Sequence, residues 1–322
     1  MTLQPSKVVI PEPLVISELQ VGRTISGWLL TVEAQMRPAK SGKLYLHLKL
    51  RDQRGNEIIA RQFDPPSMEA RRPQGGKVVL LEGVVEEFQN KLNIRLNRAE
   101  LDEAAPADLF ILGTRQPIEH LEAEFHLLMS KVAYPGLSEL LQCCFTPEVI
   151  AHFRKWPAAV QHHGAVVGGL LEHTVNVTRI AYEFTQLYSC DQNLVLAGAL
   201  LHDIGKLEEL EEQVGAGFTP MGRLVGHIIL GMQYVQEQAQ QVWELDEVIR
   251  DDLLHIILAH HGKKEFGSPV PPATIEALIV HQADAAEAAL TGFLDHCERT
   301  SGADGWSAYS QTFGGQLRAP EV

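Results

Sequence analysis

Cysteine is scarce. Four residues, Cys143, Cys144, Cys190 and Cys297, are too few and too irregularly spaced in 322 residues for a disulfide framework or a zinc motif, so they read as reduced thiols of a cytoplasmic protein. Long apolar runs are lacking: none approaches the roughly 20 residues that cross a bilayer, and no membrane association is expected. The segment Met1–Val9 lacks the basic start and apolar core of a signal peptide. Low-complexity tracts and internal repeats are also missing. Aromatic side chains make up only 7% of the chain, and positive charge is outnumbered, giving a net charge of −14. The deficit is uneven. Residues 1–108 carry 15 Lys+Arg against 14 Asp+Glu, whereas residues 109–322 carry 12 against 27. An acidic chain is a poor match to the electrostatics of nucleic-acid binding unless bound divalent ions add local positive charge. The near-neutral N-terminal third, rich in arginine, is the better place for polyanion contact.

What is present divides by period. Residues 1–20 are punctuated by proline and read as a loosely attached lead-in. From Val21 to Ala104 the pattern is that of strands, around Ser26–Ala34, Lys43–Arg51, Glu57–Phe63, Val78–Glu86 and Leu92–Ala99. In the second, Leu44, Leu46, Leu48 and Leu50 alternate with Tyr45, His47, Lys49 and Arg51, so one face is apolar and the other aromatic and basic. Arg54-Gly55-Asn56 and Gln89-Asn90 mark turns, and Pro65–Gly76 holds a helix or loop. Five short strands with a break between the third and fourth predict a small all-β barrel of the OB type. A boundary falls near Ala104–Ala107. Beyond it the period is 3.6, predicting an all-α domain over 109–300, with its core at about 163–290. Helices are expected at 117–131, 136–143, 147–155, 164–188, 192–204, 223–241, 247–261, and 273–290 continuing into Cys297. Residues 301–322 read as an irregular tail.

The helical part contains Leu201-His202-Asp203-Ile204-Gly205-Lys206, a His–Asp pair at the end of an apolar helix with a lysine one turn on. His173, His227, His260, His261 and Asp284 stand at other helical positions. A single histidine on an apolar helix is usually a satisfied core residue. A set of imidazoles and carboxylates on several apolar helices is instead a ligand set for divalent first-row metals, large enough for two ions. A helical hairpin would return His202 to about the height of His173. Asp284, among Ala283, Ala285 and Ala286, is costly to bury without a partner. Lys206 falls on the face of His202 and Asp203 and could neutralise phosphate or protonate a leaving oxygen. His163 and Lys263 are second-tier substrate contacts.

The order His173…His202-Asp203…Asp284 resembles the HD superfamily of metal-dependent phosphohydrolases. Gly168-Gly169-Leu170-Leu171-Glu172-His173-Thr174, Leu200–Lys206, Gly226-His227-Ile228 and Ala259-His260-His261-Gly262 are similar to one branch, the YhaM-type 3′–5′ exoribonucleases, which join an N-terminal OB domain to an HD domain. The similarity covers both domains and runs into the tail at Gly314-Gly315. The resemblance implies that His173, His202, Asp203 and Asp284 hold a first ion. His227 with His260 or His261 would complete a second site, Asp203 bridging. It implies Mn²⁺, where the ligands alone also suit Fe, Co, Ni or Zn. It further implies a homo-oligomer and a single-stranded RNA substrate, with DNA left open, cut to nucleoside 5′-monophosphates. Asp203 and Lys206 would be catalytic. On the barrel, Tyr45 and His47 would stack bases while Lys49, Arg51 and Arg95 meet phosphates. Two other functions compete: a phosphohydrolase of nucleotides or cyclic nucleotides with a regulatory barrel, and a non-catalytic nucleic-acid-binding protein.

Overall fold

A computed structural model describes residues 11–320 except 40–41, 54, 64, 66–71, 89–90, 106–109, 111–112, 160–165, 212–216 and 303. The chain forms two compact units, Met1–Leu112 and Gly113–Val322. The division falls a few residues beyond the expected boundary. Phe110, 2% exposed, packs with Trp28 and Val78, and the Trp28 indole donates to Asp102 at 2.9 Å.

The first unit is a closed barrel of β1 (Thr24–Pro38), β2 (Leu44–Arg51), β3 (Glu57–Phe63), β4 (Val78–Phe88) and β5 (Lys91–Leu101), in the order β1-β2-β3-β5-β4. All pairs are antiparallel except β3 with β5. Fifteen residues let β1 serve both edges. Its first half pairs with β4 and its second with β2, turning at an irregularity between Thr31 and Glu33. This is the OB topology that the strand pattern predicts. The core holds Leu29, Leu48, Leu50, Val79, Leu81, Val85 and Ile94, each at most 1% exposed. The helix or loop expected over Pro65–Gly76 lies largely outside the described residues, as do Gln89 and Asn90.

Two expectations for this unit need correction. Residues 11–20 are attached to the barrel. Leu14 and Glu12 exchange backbone hydrogen bonds with Trp28, and the Ile16 amide donates to the Asp52 carboxylate at 2.8 Å. Ile16 is buried in the barrel core. A Cβ on Gly27 would lie 2.4 Å from the Glu12 carbonyl oxygen, so glycine is what lets this segment close on β1. The outer row of β2 is also only partly solvent-facing. Leu44 is exposed at the barrel end, while His47 and Arg51 are each 8% exposed. Long side chains on a curved outer face cover one another, and Arg51 lies down on Glu57.

The second unit is all-α: α1 (Ile118–Ser130), α2 (Pro135–Cys144), α3 (Pro147–Phe153), α4 (Gly169–Leu187), α5 (Gln192–Leu201), α6 (Lys206–Glu209), α7 (Pro220–Val225), α8 (His227–Ala239), α9 (Glu247–Ala259) and α10 (Ile275–Thr300). Its centre is α5, capped by Asp191 and buried along every face from Leu194 to Leu201. Helices α4, α9 and α10 pack around it, and Gly198 admits the side chain of Ile256. The helix expected over 223–241 is broken. Gly226 takes φ 82°, ending α7 and making His227 the first residue of α8 rather than a mid-helix position. The helix expected from residue 164 starts at Gly169, after the left-handed Gly168. The helix expected over 273–290 and into Cys297 runs as α10 to Thr300. The described residues of 301–320 form no regular helix or strand but are pinned. Trp306 bridges Arg318, Ser310 bridges Gly315, and Phe313 packs edge-on to Phe293. Among the described residues no helix is long and apolar enough to cross a membrane.

Candidate metal centre

Five elements end at or cross one buried point. His173 lies in the second turn of α4, His202 closes α5, His227 opens α8, His260 closes α9, and Asp284 sits within α10. Asp203 and Lys206 occupy the tight turn after α5, where Ile204 and Lys206 donate backwards to Leu201 and Asp203 carbonyls. That turn lies close against α8. A Cβ on Gly205 would fall 2.1 Å from the His227 carbonyl oxygen, so the His-Asp-Ile-Gly sequence brings Asp203 and His227 to one place.

The side chains form two donor groups. His173, His202 and Asp284 offer atoms within 4.8 Å of one another, as do His227, His260 and His261. Asp203 stands between them. Its Oδ2 is 3.2 Å from His173 Nε2 and 3.3 Å from His202 Nε2. Its Oδ1 is 3.6 Å from His227 Nε2 and 3.7 Å from His260 Nε2. His173 Nε2 also reaches Asp284 Oδ1 at 3.3 Å. Lys206 Nζ contacts Asp203 Oδ2 at 2.6 Å.

Each imidazole is oriented from behind. Nδ1 of His202 and of His260 each bond a carbonyl of their own helix, Ala199 and Ile257, both at 2.7 Å. His261 Nδ1 is 2.8 Å from the Phe266 carbonyl oxygen, His227 Nδ1 3.0 Å from Glu209, and His173 Nδ1 2.7 Å from Glu287. With every Nδ1 facing an acceptor, the Nε2 atoms are presented inward, as in carboxylate- and carbonyl-backed metal ligands. Three buried atoms at the centre have no hydrogen-bond partner: Asp203 Oδ1, His227 Nε2 and His260 Nε2. Unpaired buried polar atoms are costly. Three converging on one point, all of them lone-pair donors, fit a divalent cation.

The electrostatics agree. Burial, then the neighbouring His202, holds His260 well below the usual histidine range, which keeps it neutral and able to ligate. Burial also lowers His261. Burial alone would lower His173, but hydrogen bonds to Asp203, Asp284 and Glu287 raise it well above the usual value. Burial opposes ionisation of Asp203, yet Lys206, His202 and His173 hold its carboxyl well below the ordinary range. Lys206 is likewise disfavoured by burial and raised by Asp203, Asp284 and Glu209.

The remaining expected residues are scattered. His163 lies outside the described residues. Lys263 is exposed just beyond His261, its Nζ 5.8 Å from the Phe266 ring. His255 accepts from the Ala273 amide and His281 is hydrogen-bonded to the His260 carbonyl, so both are structural. On the barrel, Tyr45 packs on Phe63 with centroids 5.3 Å apart. Lys49 and Arg51 converge on Glu57 at 2.6 and 2.8 Å, and Arg95 pairs with Glu86. Burial, then Arg37 and Arg61, lowers the pKa of His47. The sequence patterns missed Glu209 and Glu287, which orient His227 and His173. Their signal was an acid three residues after Lys206 and three after Asp284, on the same helical faces.

Helices that deliver His, His-Asp and Asp to one buried point define an HD domain, and the HD domain family matches residues 170–289, from α4 into α10. The chain belongs to the family of the 3′-5′ exoribonuclease YhaM. It is 30% identical over 310 residues to "3′-5′ exoribonuclease YhaM" of Listeria monocytogenes serovar 1/2a, covering 92% of this chain and 98% of that protein. It is 30% identical over 270 residues to the protein of that name in Bacillus subtilis, covering 82% of this chain and 85% of the other. Among solved structures, the barrel matches the second OB-fold domain of replication protein A from Methanococcus maripaludis at 20% identity and a TM-score of 0.23, over 29% of this chain and 96% of that one.

Proposed function

We propose that this chain is a metal-dependent 3′–5′ exonuclease that hydrolyses single-stranded RNA to nucleoside 5′-monophosphates, with single-stranded DNA as a second substrate. The observation that carries this is Asp203, whose two carboxylate oxygens each face a separate group of imidazoles. His173, His202, Asp203 and Asp284 would hold one ion. Asp203, His227 and His260 would hold a second, with His261 available beside them. Manganese is favoured by the family resemblance, and the donor set suits other divalent first-row ions as well. Two such ions supply a water activated at neutral pH and neutralise charge on the phosphodiester.

The chain's own residues do the rest. In the balanced reaction water oxygen bonds to phosphorus, the bond from phosphorus to the 3′-oxygen breaks, and that oxygen takes a proton. Lys206 is charged, half-buried and fixed by its carboxylate partner, so its ammonium meets the phosphate without reorganising. The barrel holds the single strand through the Tyr45–Phe63 pair and the cations Lys49, Arg51 and Arg95, with His47 edge-on to Tyr45. The protein acts in the cytoplasm and forms a homo-oligomer, the latter on the resemblance alone.

The test is incubation of the purified protein with 5′-labelled single-stranded RNA and Mn²⁺, beside mononucleotides and cyclic nucleotides. A ladder of shortening products and free 5′-monophosphate is expected. Asp203→Ala should abolish the ladder while retaining RNA binding. Turnover of the small substrates alone would replace this proposal with nucleotide hydrolysis, and binding without cleavage would remove the enzyme.

A further inference from the structure

Behind His261 the chain makes a short strap, residues 262–268. It begins at Gly262, φ 77°, where a Cβ would strike the His281 ring at 2.3 Å, and ends at Gly267, φ 102°. Both positions require glycine. Between them Lys264–Phe266 form a 3-10 turn. The Phe266 amide donates to the Lys263 carbonyl at 3.0 Å, and the buried Ser268 donates to the same oxygen at 3.2 Å. The strap is therefore ordered, and it is fastened to the metal centre, because the Phe266 carbonyl holds His261 Nδ1 at 2.8 Å.

On this strap the Phe266 ring is 63% exposed. A lone exposed apolar side chain is ordinary on a protein surface. This one belongs to the residue whose backbone orients a donor of the second group, His261, whose ring is 5.1 Å from that of His227. The Phe266 backbone is thus tied to that donor group. Lys263 lies beside it, Nζ 5.8 Å from the ring centroid, and Lys264 follows. Both lysines are exposed, and among the described residues neither makes an ion pair. They stand in the C-terminal two thirds of the chain, where 12 cations face 27 acids. Two exposed ammonium groups beside an exposed aromatic side chain, on the strap that orients His261, match a nucleotide.

We propose that Phe266 and Lys263 hold the nucleotide next to the scissile phosphate, Phe266 stacking on its base and Lys263 contacting its phosphate. This rests on the exonuclease proposal and deepens it. The barrel's cations and aromatics bind the strand away from its end, whereas the strap reads whether the end carries a base. Stacking is indifferent to base identity, because every base has a π-face, so the clamp accepts all four.

The test compares single-stranded RNAs that end normally, with an abasic 3′-terminal residue, or with an abasic penultimate residue. The full-length wild-type enzyme should lose on the order of 10-fold in kcat/KM on one of the two abasic substrates. Phe266→Leu should lose a similar factor on normal RNA, mainly in KM, and no longer discriminate the abasic end. Phe266→Tyr should restore both. Lys263→Met should weaken RNA binding and lower its salt dependence by about one counterion. Thermal melting verifies that the variants are folded. A wild-type enzyme indifferent to both abasic substrates overturns the clamp, as does a Phe266→Leu variant that keeps wild-type discrimination. Failure of the wild type to shorten any RNA instead overturns the exonuclease proposal.

Discussion

Asp203 Oδ1 lies 3.7 Å from His260 Nε2, and neither atom has a hydrogen-bond partner. Both side chains are buried. Two lone-pair donors left facing each other at that distance are an incomplete arrangement, and a cation between them completes it.

The residue behind the opposite group offers the sharpest check on the site. Glu287 is 6% exposed and receives His173, Thr291 and Asn176. Glu287→Gln should lower apparent Mn²⁺ affinity by about 10- to 100-fold, with much of the rate recovered at saturating metal. Metal titration of activity, paired with calorimetry, measures this. An unchanged metal dependence means that Glu287 only packs α10 against α4.

Lys206 is expected to act on substrate rather than on the ions. Lys206→Met should lower kcat on the order of 10²- to 10³-fold while calorimetry still finds the ions bound. Because burial is outweighed by Asp203, Asp284 and Glu209, the pKa of Lys206 is raised above the usual 10.5, and its deprotonation should produce no fall in rate on the alkaline side up to that pH. Loss of metal binding in step with activity would assign Lys206 to holding Asp203 instead.

Glu57 ties down two of the barrel's cations. Burial works against its ionisation, but hydrogen bonds from Lys49 and Arg51 prevail and place its carboxyl below the usual 4.5. A depressed carboxyl stabilises the fold above its unfolded value, and the benefit disappears as pH falls through the folded one. Glu57→Gln should therefore cost on the order of 1 kcal/mol at pH 7 and little at strongly acidic pH, by urea melts at each. The same change frees Lys49 and Arg51, so RNA affinity and its salt dependence should both rise. Weaker RNA binding would mean that Glu57 positions those cations for the strand.

Gly205 is where sequence and site are joined most tightly. A Cβ there would fall 2.1 Å from the His227 carbonyl oxygen and 2.5 Å from the Gly231 amide nitrogen, both backbone atoms that cannot swing away. Gly205→Ala should push α8 off the turn, destabilise the helical unit by about 1–3 kcal/mol and remove the second donor group. Thermal melts and metal stoichiometry report the two effects. A stable variant binding two ions would show that α8 yields without cost.

Much of this protein is legible in one dimension. Alternation of Leu46, Leu48 and Leu50 with polar neighbours assigns β2, because a strand repeats every two residues. The run Leu194–Leu201 assigns a buried helix, and His202-Asp203 at its end marks the chemistry. Candidate ligands could be named because imidazoles and carboxylates recur on several apolar helices, a set that suits divalent metals, and because their order resembles that of the HD superfamily. What sequence could not decide was orientation and pairing. Whether Lys49 and Arg51 face solvent or Glu57, whether residues 11–20 trail or dock, and whether 223–241 is one helix or two depend on contacts between distant segments. Period encodes only which face of an element is apolar. The division of labour between the two oxygens of Asp203, and the carboxylates of Glu209 and Glu287 behind the histidines, belong to the tertiary structure, because donor distances are set by how helices pack and not by how residues are spaced.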